Sequence, residues 1–319
     1  MQLNLNNLNL TNYDTNIIYD VIILGGGPAG LNASIYAKRK GLKSLLITHK
    51  IGGQLENTKE IENYLGFSYI DSNSLIANFS NHINSLDISL MTNVYVTNID
   101  KLNDTFYITL DNGLIYKSKS LIYALGSYSK RLGLENENKL NKISYCSVCD
   151  APFYKDHNVV VVGGGNSALE AAIDLTHYAK HVTIVQRSTI KADQILVNKV
   201  RNNSKITILL NTVVTKINGT DSVESINVLN TKTNFINTLN INGLFIEIGK
   251  IPNTKLLSNI ISLERNLSVQ VNAYQQTELE GLFVAGDSTN FTHNQIIIAA
   301  SQGAIAALEA SKYLLKKGE

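Results

Sequence analysis

Tyr19-Asp20-Val21-Ile22-Ile23-Leu24-Gly25-Gly26-Gly27-Pro28-Ala29-Gly30 decides the fold of this 319-residue chain. Its first half reads as a buried strand and its second as a glycine turn that opens a helix. The helical pattern runs on through Lys40, and a second apolar run, Ser44 to Thr48, follows. Strand, turn, helix and strand make a βαβ unit. The spacing Gly25-x-Gly27-x-x-Gly30 aims backbone N–H groups at a pyrophosphate on the helix N-terminus. Gly25, Gly27, Pro28, Ala29 and Gly30 are therefore candidate cofactor contacts, and plain packing of a strand-to-helix turn is the bland alternative. The ribose-binding acid expected about 20 residues on is replaced by Thr48, whose hydroxyl can still hydrogen-bond.

The same grammar recurs downstream. Asn158 to Val162 is a β-branched run, followed by Gly163-Gly164-Gly165-Asn166-Ser167-Ala168, a helical stretch to about Ala179 and a strand from Val182 to Val185. Two such units predict an α/β protein of two Rossmann-like, three-layer dinucleotide-binding domains. Gly163, Gly165, Asn166, Ser167 and Ala168 are the second set of candidate contacts. After the next strand come Gln186, Arg187 and Lys191, with no acid. Arg187 and Lys191 suit the 2′-phosphate of NADP, unless they are merely solvated surface cations.

Between the two units, Val94 to Leu114 reads as short strands around an Asp111-Asn112-Gly113 turn, and Lys205 to Leu244 as a second strand-rich patch. A final strand leads into Gly286-Asp287 and a small-residue helix from about Asn294 to Leu315. Asp287 at a strand end suits a polyol chain, though a helix N-cap is the usual role of an isolated Asp. Gly126 to Lys130 and Gly249 to Asn253 read as hinges, so that the second domain is inserted into the first.

Composition bounds the function. Net charge is +2 with no long basic run, which gives no reason to expect nucleic-acid binding. No stretch reaches the roughly 18 consecutive apolar residues of a membrane span. The Asn-rich start lacks the pattern of a secretory signal, which predicts a flexible extension over residues 1–18 and an intracellular, cytoplasmic location. The chain holds 2 cysteines, Cys146 and Cys149. Their spacing lets the sulfurs form a small reducible disulfide. Zinc would need two further ligands, and no metal site is expected. Two unlinked buried thiols are the remaining alternative. Neighbouring Asp150 is placed to move the proton that thiol–disulfide exchange requires.

Taken together, Gly25–Gly30, Gly52-Gly53-Gln54, Glu62-Asn63, Ala124-x-Gly126, Cys146–Asp150, Gly163–Ala168 and Gly286-Asp287 with Gln295 resemble the low-molecular-weight, bacterial-type thioredoxin reductases, of the class II pyridine nucleotide-disulfide oxidoreductases. The resemblance runs over nearly the whole chain after Tyr19. It implies an FAD-binding domain at 19–126 and 251–319, and a pyridine-nucleotide-binding domain at 127–250 that carries the redox disulfide. It also implies that Gly53, Gln54, Asn63, Ala124, Gly126, Gly286 and Gln295 surround FAD, with Asp287 on the ribityl chain. Cys149 would then face the flavin, and Cys146 would attack the disulfide of thioredoxin. Electrons would come from NADPH, and the chain would form a homodimer. Because the cysteines and the nicotinamide site share one domain, the family rotates that domain about its linkers.

The departures are equally plain. The family's His-Arg-Arg-x-x-x-Arg clamp reads Val185-Gln186-Arg187-x-x-x-Lys191, and its Tyr-Arg-Gln segment reads His293-Asn294-Gln295. Lysine lacks the planar fork of arginine. NADH or reduced ferredoxin is therefore the alternative donor. A ferredoxin–NADP reductase of similar fold is disfavoured by the cysteine pair. The flavoprotein component of the peroxide reductases shares the core and is expected to differ by a further N-terminal redox domain.

Overall fold

The computed structural model describes residues 13–58 and 60–318. The chain forms two compact units, one running to Tyr128 and resuming at Ile251, the other Ser129–Lys250. The second is thus inserted into the first, two residues later than the expected first crossing at 126/127.

In the first unit the strand Ile18–Leu24 leads through the glycine turn into the helix Pro28–Arg39. It pairs in parallel with Ser44–Ile47 on one side and Ile115–Tyr123 on the other. Leu90–Met91 extends one edge of the sheet, and Leu282–Val284 also pairs in parallel with Ile115–Tyr123. The expected short strands are Val96–Leu102 and Thr105–Leu110, which add an antiparallel meander beyond Ile115–Tyr123. Strand alternation divides the side chains between two cores. Ile22 and Leu24 point into one with Phe106, Tyr116 and Val269. Val21 and Ile23 point into the other, where Ala29, Ala33 and Ala306 bring in the helices Pro28–Arg39 and Ile296–Lys317. Both faces are covered, so the unit is three-layered.

The second unit repeats the plan. Its parallel sheet runs in the order Ile143–Ser144, Gly243–Ile246, Asn158–Val162, His181–Gln186, Ile206–Leu210. Val159 and Val161 face the helix Asn166–Leu175, while Val160 and Val162 face the antiparallel sheet that contributes Ile217, Ile226 and Val228. That helix ends four residues short of Ala179.

Residues 1–12 of the expected flexible extension lie outside the described residues. From Tyr13 the chain is held: the Tyr13 hydroxyl donates to the Leu90 carbonyl at 3.0 Å and accepts the Leu90 N–H at 2.9 Å. The two crossings, read as hinges, contain the strands Ser127–Ser129 and Lys250–Pro252, which pair with each other. The Asn253 N–H donates to the Gly126 carbonyl at 2.8 Å.

Candidate redox and dinucleotide sites

Each sheet ends, at the carboxyl side of its strands, in a glycine turn. In the first unit Gly25 has φ +115°, a backbone that L side chains rarely adopt. Gly26 is as constrained: a Cβ there would lie 2.3 Å from the Lys50 carbonyl oxygen. Gly27 is open by contrast, with only the Gly53 Cα at 3.9 Å from its Cβ position. Gly27 is the N-cap of Pro28–Arg39 and has no side chain with which to cap it. Its open side and the free N–H groups of the first turn fit a pyrophosphate.

Gly52 donates its N–H to the Gly26 carbonyl at 2.8 Å, which sets Gly53 and Gln54 beside that turn. Gln54 Nε2 donates to Asp287 Oδ2 at 2.8 Å and to Ser127 Oγ at 3.3 Å, and Ser127 Oγ donates to the same Asp287 oxygen at 3.4 Å. Asn63 Nδ2 donates to Gln295 Oε1 at 3.2 Å. Asp287 caps no helix, since the following one starts at Ile296 with Gln295 as its N-cap. Gly286 is fixed by its N–H bond to Gln302 Oε1 at 2.7 Å. Ala124 and Gly126 continue the neighbouring strand Ile115–Tyr123, the Ala124 N–H bonding to the Leu24 carbonyl at 2.8 Å. Thr48 donates its hydroxyl to the Lys50 carbonyl at 2.9 Å, so that proton is committed to the chain. Lys50 itself is paired with Glu56.

In the second unit Gly163 has φ +146°, and a Cβ on it would lie 2.3 Å from the Glu247 carbonyl oxygen. Gly165, the N-cap of Asn166–Leu175, has nothing within 4 Å of its Cβ position. This turn too is open on the side a phosphate would take, and Ser167 and Ala168 continue into its helix. A loop closes against it: the Lys191 N–H donates to the Gly164 carbonyl at 2.7 Å, Asn166 Nδ2 to Asp193 Oδ2 at 2.9 Å, and the Asp193 N–H to Asn166 Oδ1 at 2.8 Å. Asn166 is thereby occupied at both ends of its amide. Gln186 packs its side chain where a Cβ of Gly164 would lie and donates to the Thr189 carbonyl at 3.0 Å. Arg187 and Lys191 are exposed and make no ion pair among the described residues.

Cys146 and Cys149 form a disulfide, their Cα atoms 5.3 Å apart, which excludes two unlinked thiols. Cys146 is the N-cap of the single-turn helix Ser147–Asp150, and Asp150 returns its N–H to the Cys146 carbonyl at 3.2 Å. Between the cysteines Val148 is 59% exposed, an apolar tip beside the disulfide. Tyr154, in the turn after the redox helix, is buried, and that burial, with the Asp150 charge adding to it, pushes its phenol far up and keeps it protonated. Glu247 accepts the Ser147 N–H at 3.4 Å. Burial pushes its carboxyl up to about 7, against the opposing pulls of the Ser147 N–H and the Lys250 charge.

Gly26, Ser127, Asp193 and Glu247 are absent from the sequence-derived set. Glu247 leaves a signal, an acid closing the apolar run Gly243-Leu244-Phe245-Ile246. Asp193 leaves none, being one polar residue in a polar loop. No group of acidic, histidine or cysteine side chains among the described residues could hold a metal ion. No helix among them is long and apolar enough to cross a membrane.

Residues 19–303 match the family model of the pyridine nucleotide-disulphide oxidoreductases. The chain belongs to that family, in its low-molecular-weight class II branch. Among solved structures it is similar to the thioredoxin reductase of Streptococcus pyogenes, with 32% identity, a TM-score of 0.89, and 94% of this chain and 99% of that one covered. The thioredoxin reductase of Giardia duodenalis gives 30% identity and a TM-score of 0.86, covering 93% and 99% of the two chains. Among curated proteins it is similar to an alkyl hydroperoxide reductase component of Staphylococcus aureus, 37% identical over 301 residues and 93% of this chain. The chain spans 59% of the length of that relative. The family implies FAD and a pyridine nucleotide as cofactors.

Proposed function

We propose that the chain is an FAD-dependent disulfide reductase that passes electrons from NADPH to the Cys146–Cys149 disulfide and on to thioredoxin. The observation that carries this reading is a disulfide at a helix start in the same unit as an open glycine turn. FAD, bound at 19–126 and 251–319, supplies the two-electron relay between a nicotinamide and a disulfide. Gly25 to Gly30 hold its pyrophosphate, and Gln54 and Asp287 orient its polyol, with Gly53, Asn63, Ala124, Gly126, Gly286 and Gln295 around it. Gly163 to Ala168 hold the pyridine nucleotide, and Arg187 and Lys191 neutralise its 2′-phosphate. Cys149 accepts electrons, Cys146 attacks the partner's disulfide, and Asp150 moves the proton. Exposed Val148 gives an apolar partner a surface beside the reactive bond. The family resemblance supports a cytoplasmic homodimer.

A second reading concerns the donor and the acceptor. Asp193 places a carboxylate in the loop that carries Arg187 and Lys191, which disfavours a 2′-phosphate and favours NADH. The similarity to the alkyl hydroperoxide reductase component supports a thioredoxin-like redox domain as acceptor in place of free thioredoxin. Reduced ferredoxin is the donor if neither nucleotide serves.

Anaerobic titration of the purified flavoprotein with NADPH and then NADH, followed by flavin absorbance, tests the donor. Bleaching by micromolar NADPH supports the first reading, bleaching by NADH alone the second, and no bleaching by either removes the nucleotide from both. Thioredoxin reduction followed in the same cuvette tests the acceptor.

A further inference from the structure

Glu247 occupies a position that neither the glycine turn nor the cysteine pair requires, yet it touches both. Its backbone continues the strand Gly243–Ile246, and its N–H donates to the Val162 carbonyl at 2.9 Å. That bond pins the residue at the carboxyl end of the sheet, beside Gly163. Its side chain reaches across to the redox helix, where Oε1 accepts the Ser147 N–H at 3.4 Å. Ser147 directly follows Cys146, and its N–H is one of the donors a helix start leaves unsatisfied. Cys146, although it is the N-cap, makes no side-chain capping bond. Once the disulfide opens, a Cys146 thiolate is drawn to such donors. Glu247 holds one of them, the Ser147 N–H.

We propose that Glu247 is a positioning residue of the redox pair: through the Ser147 N–H it sets how readily the Cys146–Cys149 disulfide is reduced, and it holds a proton while Cys146 is a thiolate. The inference rests on the reading of this pair as the redox centre. A dithiol gives two electrons, the Cys146–Cys149 bond breaks, and the dithiol closes to its own disulfide. Of the two protons released, one goes to a cysteine sulfur; the other goes to Glu247 where the carboxyl is ionised, or to solvent where it already carries its proton, while the Cys146 sulfur remains anionic. Ionised, Glu247 repels that thiolate and competes for its donor, so reduction becomes harder as the carboxyl loses its proton. Its folded pKa of about 7 places this change within the working range.

The surroundings carry few other charges. Lys250 follows three residues on and pulls the carboxyl down, and the Lys130 ammonium lies beside Gly249. The redox helix carries Asp150, and the Tyr145 phenol before it is bonded to Glu137 at 2.7 Å. The strand Asn158–Val162 and the turn Gly163–Gly165 bring no titratable side chain.

The test is redox equilibration of the intact flavoprotein in buffers of reduced and oxidised dithiothreitol at pH 6 and pH 8. Maleimide labelling reads the fraction of open pair, for wild type, Glu247→Gln and Glu247→Asp. In Glu247→Gln the reduction equilibrium constant at pH 8 is expected to rise about tenfold over wild type, ~30 mV for a two-electron couple. At pH 6 the two proteins are expected to agree, and Glu247→Asp to restore the pH dependence. Equal shifts at both pH values, or none, overturn the inference and leave the redox reading standing. A pair that no dithiol opens overturns the redox reading, and the inference with it.

Discussion

Gln54 and Asp287, 233 positions apart in sequence, are joined by a 2.8 Å hydrogen bond from amide to carboxylate. The amide also reaches Ser127, so three segments of the first unit meet on one carboxylate oxygen. Gly53, the residue before Gln54, lies against Gly27 of the glycine turn.

That junction makes flavin retention sensitive to Asp287. Replacement of Asp287 with Ala removes the acceptor of two bonds and is expected to weaken FAD binding by roughly tenfold or more. The ratio of flavin to protein absorbance after dialysis measures it. An unchanged ratio would place the polyol elsewhere.

Cys149→Ser is expected to abolish disulfide reduction while leaving flavin bleaching by the nucleotide intact. Stopped-flow absorbance separates the two steps. Retained turnover of a disulfide substrate would contradict the assigned path of electrons.

Charge near the second turn governs donor choice. Arg187→Ala is expected to raise the NADPH KM roughly tenfold and leave NADH unaffected. Asp193→Asn removes the opposing carboxylate and shifts preference towards NADPH by a few-fold, as roughly expected for an exposed charge. Steady-state kinetics with both nucleotides measures the pair of effects, and parallel changes for both nucleotides would show that the loop does not read the 2′-phosphate.

Glu247 also links stability to pH. Its carboxyl is raised from 4.5 to about 7 in the folded chain, so the folded state binds this proton more tightly than the unfolded one. The corresponding stability is complete below pH 4.5, declines as pH rises towards 7 and is absent above it. Glu247→Gln is therefore expected to gain on wild type as pH rises, by on the order of 2 kcal/mol at pH 8 after allowance for partial exposure. Urea denaturation at pH 5 and pH 8 measures the gain, and a gain independent of pH would point to packing instead.

Tyr13→Phe removes both bonds to Leu90 and leaves its backbone groups short of a partner. A cost of about 1–2 kcal/mol is expected, measurable as a lowered Tm.

What was legible in the sequence was what the backbone or local chemistry imposes. Gly25 and Gly163 declare themselves because their positive φ and their close backbone neighbours admit no side chain. The cysteine pair declares itself because three positions of chain suffice to bring the sulfurs together. Tyr13 was not legible, since its hold depends on a strand edge 77 residues away. Asp287 offered two roles, of which a helix N-cap is the usual one for an isolated Asp, and only the start of the last helix at Ile296 removed it. Asn166 read as a nucleotide contact, while its amide is engaged by Asp193, a partner 27 residues on that no periodicity announces. Side-chain pairings across the fold carry no signature in spacing.

The bond between Asn253 and Gly126 also bears on how the chain can be cut. It leaves the two ends of the host chain within bonding reach of each other once residues 127–250 are set aside. A deletion at that seam would remove the inserted unit without cutting a strand of the host's main sheet.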